Sequence, residues 1–414
     1  MSLRNIISRD ARRFGRACAH TLCLLLTAVV AASQAVAAPV RVTTIEGRSL
    51  EAEWRGVNPA GDVVLNVEGQ EQAFPAGSLM GLRWDAPTTS QPVTSDFPIV
   101  IYLADGSRFA AKITGSGPKH VSVATPLLPA LDVPFAQMAA IAFEAARDED
   151  QAPIEAALRE RHASEDTLLI RREGRMTPLR GVVESITPEG GSFTWRGRGV
   201  PMRRDVTFAL IFAAGVARHE PAPVNVLLRD GSKWAGTLAG GDAEQIRLKS
   251  SLGQTLAIPL GQAAEIRFRS DRVMFLSDLE PVNYIFEPFG VTHWPYRRDR
   301  SVSNRPLRIG DQSYERGIGV HSRSVLVYDV PEGFTQLAAV IGIDSAVRPR
   351  GSVVFQVLAG ERELFNSGPV RGTDPPRPIL VELGGARQIA LVVDFGEELD
   401  IADHANWANA RLVR

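Results

Sequence analysis

Val224-Asn-Val-Leu-Leu-Arg-Asp-Gly-Ser-Lys-Trp-Ala-Gly-Thr-Leu238 places two apolar-rich stretches on either side of Asp230-Gly231. Asp-Gly in that setting predicts a hairpin, because the turn needs a positive φ that glycine adopts without a Cβ clash. Ile246-Arg-Leu-Lys249 and Thr255-Leu-Ala-Ile258 read as two further strands. Pro259 removes a ladder donor and starts a short turn before the closing stretch Ile266-Arg267-Phe268.

The same order occurs four times. The turns are Glu46-Gly47, Asp105-Gly106, Glu173-Gly174 and Asp230-Gly231, and the matching prolines are Pro75, Pro134, Pro201 and Pro259. Glycine-to-proline distances are 28, 28, 27 and 28 residues, and proline-to-final-aromatic distances are 9, 9, 11 and 9. Two spacings held this constant define an internal repeat. The copies cover residues 40–85, 98–144, 166–213 and 223–269. In pattern each resembles a small SH3-like or Sm-like β-barrel of about five strands. Trp54, Trp195 and Trp234 admit two readings, an aromatic ligand surface or the cover of a core. Only glycine, proline and apolar positions recur, which describes a fold and not a site. The copies therefore read as spacer or protein-interaction modules, with other envelope proteins as partners.

Around the repeats the chain is punctuated. Arg4, Arg9, Arg12, Arg13 and Arg16, the apolar run 21–32 and Ala35-Val36-Ala37 read as a cleavable signal peptide over residues 1–38. Its apolar run is shorter than the ~18–20 residues a membrane helix needs. Cys18 and Cys23, the only cysteines, lie inside it. A mature chain would carry no disulfide, thiol nucleophile or thiolate metal site. Removing five Arg and one Asp leaves 41 basic against 46 acidic residues. That balance gives no footing for nucleic acid or an anionic membrane. Residues 86–96 read as an extended linker, and 147–165 as a charged linker with about two helical turns from Ile154. That linker suggests pairing of copies 1 with 2 and 3 with 4.

Near residue 273 the repeat pattern stops. Strand candidates follow at 318–320, 324–329, 336–343, 352–358, 363–366, 379–382, 388–394 and 408–413, separated by Pro331-Glu-Gly333, Ala359-Gly360 and Gly384-Gly385. Eight short strands with this spacing predict a two-sheet antiparallel sandwich, and the whole chain reads as all-β.

Four blocks of this segment carry a family likeness. They are Leu276-Ser-Asp-Leu-Glu-Pro281, Tyr314-Glu-Arg-Gly-Ile-Gly-Val-His-Ser322, Arg350-Gly-Ser-Val-Val-Phe-Gln-Val357 and Asp403-His-Ala-Asn-Trp-Ala-Asn-Ala-Arg-Leu412. In this order they resemble the NPCBM domain, a carbohydrate-binding module of glycoside hydrolases with a galactose-binding-like jelly roll, over residues 274–414. The resemblance implies a glycan partner. Two stretches depart from the family: Phe395-Gly-Glu-Glu-Leu-Asp-Ile-Ala402 is more acidic and less glycine-rich, and Asn283–Trp294 is more aromatic.

A sugar site needs an aromatic plate for the ring's apolar face and polar partners for its hydroxyls. Trp294, Tyr296, Arg297, His321, Arg350, His404 and Trp407 offer both. For Asp403, His404 and Trp407 the other reading is structural, stitching strands and satisfying buried polar groups. Asp344, Glu397, Asp400 and Asp403, with Glu398 beside them, could hold a structural Ca²⁺; a solvated acidic loop is the plain alternative.

Catalysis has little to stand on. The repeats share no acidic position, and no ~250-residue catalytic barrel fits before residue 273. Gly-x-Ser-x-Gly and His-Glu-x-x-His are missing. The expectation is a secreted or periplasmic, non-enzymatic glycan-binding protein with no membrane span after signal cleavage. The rival is an extracytoplasmic protein–protein scaffold with a vestigial sugar site.

Overall fold

The computed structural model describes residues 39–84, 96–143, 148–172, 175–215, 221–289, 292–397 and 399–414. The expected signal peptide, the turn Glu173-Gly174, Glu398 and nearly all of the 86–96 linker lie outside the described residues.

Each repeat is five strands. The first is Pro39–Thr44, Ser49–Val57, Val63–Val67, Gln70–Phe74 and Leu79–Arg83. The last is Val224–Leu228, Lys233–Gly241, Gln245–Ser250, Thr255–Pro259 and Ala263–Phe268. Four strands run as an antiparallel meander. The fifth returns to pair with the first, in equivalent register each time: Val42↔Leu82, Ile101↔Ile141, Leu168↔Leu210 and Val226↔Ile266. The long second strand serves two partners. Ser49–Val57 pairs with the first strand and, from Glu53 on and through a bulge at Trp54/Gly56, with the third. A bulge there bends the strand, so the meander folds over its own apolar face.

Pro75, Pro134 and Pro259 stand just before one-turn 3₁₀ helices at Ala76–Ser78, Phe135–Gln137 and Leu260–Gln262, with φ of −54, −63 and −58°. Proline's ring fixes that φ. Pro201 is different. It lies within the strand Arg198–Arg203, opposite Ser192, and no 3₁₀ turn follows. The longer spacing from Pro201 to Phe212 records that difference.

The copies do not pair as 1–2 and 3–4. Fifth strands join copies 1 and 4 through Leu82↔Ile266, and copies 2 and 3 through Ile141↔Leu210. Each contact sets equivalent residues opposite one another, so the two pairs share one geometry. A single apolar core then runs through all four copies. Trp54 and Trp234 are fully buried in it. Trp54 Nε1 donates to Asp242 O of copy 4 at 2.7 Å, and Trp234 stacks on Phe109 of copy 2 at 4.1 Å. These two tryptophans weld copies together and are not a ligand surface. Trp195 is half-buried against the same core.

The outer face of the 2–3 pair is apolar: Val100, Tyr102, Ala140, Ala142, Leu169, Ala209 and Ile211. The helix Asp148–Arg159 covers it with Ile154, Ala157 and Leu158. Its length exceeds the two turns read from the sequence.

Residues 273–413 form the predicted sandwich. One sheet holds Val273–Phe275, Arg297–Arg298, Gly317–His321, His404–Val413, Gln336–Ile343 and Arg377–Glu382. The other holds Asn283–Phe286, Ser324–Asp329, Gln388–Phe395, Ser352–Ala359 and Arg362–Arg371. Between them lies a dry core that includes Tyr328, Phe355, Leu391 and Trp407. The sandwich abuts copy 1: Ile45 and Met80 pack with Val273, Ala338 and Val413. Arg411, only 3% exposed, donates Nε to Ile45 O at 2.9 Å, and Arg267 pairs with Glu315. Among the described residues no helix is long and apolar enough to cross a membrane.

Candidate carbohydrate site

His321 ends its strand directly opposite His404, the first residue of the neighbouring strand. Cross-strand neighbours on one face are held within contact distance, and the two rings lie 5.5 Å apart. Trp294 arrives from the segment after Asn283–Phe286. Its ring stacks on His321 at 5.5 Å with 7° between planes, and stands 5.1 Å from His404. Tyr284 Oη donates to Trp294 O at 3.1 Å and anchors that segment. Phe286 meets His321 and His293 edge-on.

The two imidazoles are held neutral. Burial, then the neighbouring His321, push His404 down from 6.5 to about 4. His321 is lowered by burial. His321 Nδ1 lies 2.9 Å from Ser322 O. A carbonyl can only accept, so Nδ1 carries the proton and Nε2 keeps its lone pair. His404 Nδ1 meets Ser303 Oγ at 3.0 Å. Trp294, His321 and His404 thus make a cluster of flat, uncharged rings. Its half-buried members, Trp294 and His404, can meet the C–H face of a sugar ring and offer ring nitrogens to its hydroxyls, while His321, 4% exposed, backs the Trp294 ring.

Two buried carboxylates brace this cluster. Asp403 accepts from Ser322 Oγ at 2.5 Å and Ser352 N at 3.0 Å. Asp344 accepts from Asn406 Nδ2 at 2.7 Å and Ala346 N at 3.0 Å, while its own N–H donates to His404 O. Glu397 is bound bidentately by Arg371. These four carboxylates, Asp344, Glu397, Asp400 and Asp403, are not gathered: no group of three or more His, Cys, Asp or Glu among the described residues is placed to hold a metal. A buried carboxylate already accepting two hydrogen bonds has little left for a hard cation.

The other expected residues divide. Trp407 is fully buried, edge-on to Phe355 at 4.9 Å. A stacking plate must face solvent, so Trp407 is a core residue. Tyr296 packs edge-on to Tyr284 and bonds Glu280. Arg297 Nε donates to Val302 O, bracing a turn. Arg350 stands exposed on the loop that backs onto Ala402, just before Asp403 and His404. Ser303, Phe286 and His293 were not singled out as site residues. The aromatic density of 283–294 was the signal for the latter two, and Ser303 had none.

Residues 272–413 match the family model of the NPCBM/NEW2 domain, and this segment is such a domain. It is 34% identical over 117 residues to alpha-1,3-galactosidase B of Akkermansia muciniphila, which is 27% of this chain and 15% of that enzyme. The chain spans only 7–15% of the length of the curated relatives it matches. Among solved structures, the CBM51 of Clostridium perfringens GH95 in complex with methyl-galactose is 25% identical, with TM-score 0.31, covering 34% of this chain and 99% of that one. The CBM51-2 and INT domains of Clostridium perfringens ZmpB in complex with GlcNAc are 26% identical, with TM-score 0.32, covering 41% and 36%.

Proposed function

We propose that this is an exported, non-catalytic protein that recognises glycans through Trp294 and His404 of its C-terminal domain, with His321 backing the Trp294 ring and Arg350 at the edge of the site. The observation that carries the reading is the neutral three-ring cluster at the strand ends of an NPCBM/NEW2 domain. The absence of catalysis is part of the proposal. Acid–base cleavage of a glycoside needs two carboxylates free to act, and Asp344 and Asp403 are both committed to structural hydrogen bonds. Secretion or a periplasmic location rests on the leader read in the sequence. The four repeats serve as a spacer or as docking modules for envelope proteins. No calcium is assigned to the site.

A glycan array probed with the full chain and with Trp294→Ala tests this. Selective binding lost in the variant is the expected result. A folded wild-type chain that binds no glycan would end the sugar reading and leave a protein scaffold.

A further inference from the structure

Seven large apolar side chains stand exposed among the described residues, and three of them, Phe289, Leu399 and Ile401, sit on just two loops. Isolated exposed apolar residues need no explanation, but a cluster does. The loops are those that carry the site. Phe289 precedes Trp294 on one, and Leu399 and Ile401 precede His404 on the other. Phe289 is 62% exposed, Leu399 53% and Ile401 54%. Phe289 lies edge-on to Phe395, the last residue of the strand that leads into the second loop, with 6.4 Å between centroids.

The charges of this rim are largely met within the protein. Arg323 pairs with Glu287 and approaches Asp394, and Arg371 pairs with Glu397. The rim therefore offers a ligand apolar area beside charges that are paired with one another. A bare sugar on Trp294 would leave that area in water.

We propose that the site takes an amphiphilic glycoside, with the sugar on the Trp294–His321–His404 cluster and an alkyl aglycone, as in a glycolipid, laid across Phe289, Leu399 and Ile401. This rests on the glycan reading above and adds the class of ligand. Continuity decides the occupant: Phe289 lies on the segment that carries Trp294, and Leu399 and Ile401 on the one that leads into His404, so the exposed apolar residues flank the ring cluster along the chain. Apolar side chains with self-paired charges suit an uncharged chain better than a peptide or a second anionic sugar.

The test is titration calorimetry of the full chain with methyl β-galactoside and octyl β-galactoside, the latter below its micellar concentration, repeated on Phe289→Ser and Trp294→Ala. Phe289 is a surface residue, so its replacement leaves the fold intact. The expected result is octyl binding at least tenfold tighter than methyl, about what two buried methylenes contribute. That gain should be lost in Phe289→Ser, and all binding lost in Trp294→Ala. Equal affinities would overturn the aglycone site and leave the sugar site standing. Octyl binding that survives Trp294→Ala would be adsorption outside the sugar site and would also overturn it. Binding of neither compound by the wild-type chain would bring down the sugar reading for galactosides, and this inference with it.

Discussion

Acidification should weaken the fold through His404. Its folded pKa is depressed from 6.5 to about 4, so between those values the unfolded chain binds a proton that the folded one refuses. Stability then falls as pH drops, because the unfolded state holds more protons in that window. A depression of this size corresponds to ~3 kcal/mol. Integrated from about pH 7.5 to about pH 4.5, the loss is roughly 2.5 kcal/mol. At ~2 °C per kcal/mol for a large folded unit, the thermal midpoint drops by about 5 °C from this residue alone. Carboxylates titrate in the same range, so the readout is a difference. Wild type and His404→Gln, which still offers Ser303 a hydrogen-bonding partner, are melted side by side across the range. The gap between their midpoints should close or reverse by about 5 °C toward low pH, with His321, shifted the same way by burial, still contributing in both. A gap that stays constant with pH would refute the claim that burial holds His404 neutral.

Trp294→Ala should remove the stacking plate and with it the glycan binding that calorimetry detects in the wild-type chain, with thermal stability unchanged. Trp407→Ala should instead cost about 3–5 kcal/mol of stability by leaving a cavity against Phe355, read from denaturant unfolding. Chelator or added Ca²⁺ should leave the thermal midpoint where it is, since Asp344 and Asp403 are already hydrogen-bonded; a rise with Ca²⁺ would reinstate a metal site. A double-mutant cycle on Arg267 and Glu315, a pair whose Glu315 side chain is 73% exposed, should give a coupling under ~1 kcal/mol.

The strands of the sandwich and of the repeats were legible because turn glycines and apolar alternation are local signals. Pairing between copies was not. Leu82, Ile141, Leu210 and Ile266 are near-identical edges, and no linker composition says which will meet. Only the completed core decides: Trp54 reaching Asp242 ties copy 1 to copy 4, Ile141 opposite Leu210 ties copy 2 to copy 3, and Trp234 on Phe109 ties the two pairs together. The site shows a similar limit. His321 and His404 could be read as polar aromatics in a motif, but their position opposite one another is a matter of register. Trp407 keeps both readings in the sequence because its strand reads as 408–413 there, whereas it begins at His404 and changes phase within its length. Ala405 and Trp407 face the core before Asn409, and Ala410 and Leu412 after it. Asn409 takes a positive φ of 49°, beside a register shift in the ladder to Gln336–Ile343. A reading by simple alternation cannot see such a bulge.

The pairing of copies 1 and 4 also sets how the chain carries tension. Pulled between residue 39 and residue 414, force enters Pro39–Thr44 and crosses to Leu79–Arg83. It then passes to Ala263–Phe268 and on through Val273–Phe275 into residues 411–413 of the final strand His404–Val413. The Arg411–Ile45 hydrogen bond is a short cut along the same route. Copies 2 and 3, residues 98–213, hang off this line as a side branch and bear little of the load. A sugar held by the terminal domain would thus be gripped through a path of sheared antiparallel strands, while nearly a third of the chain stays slack.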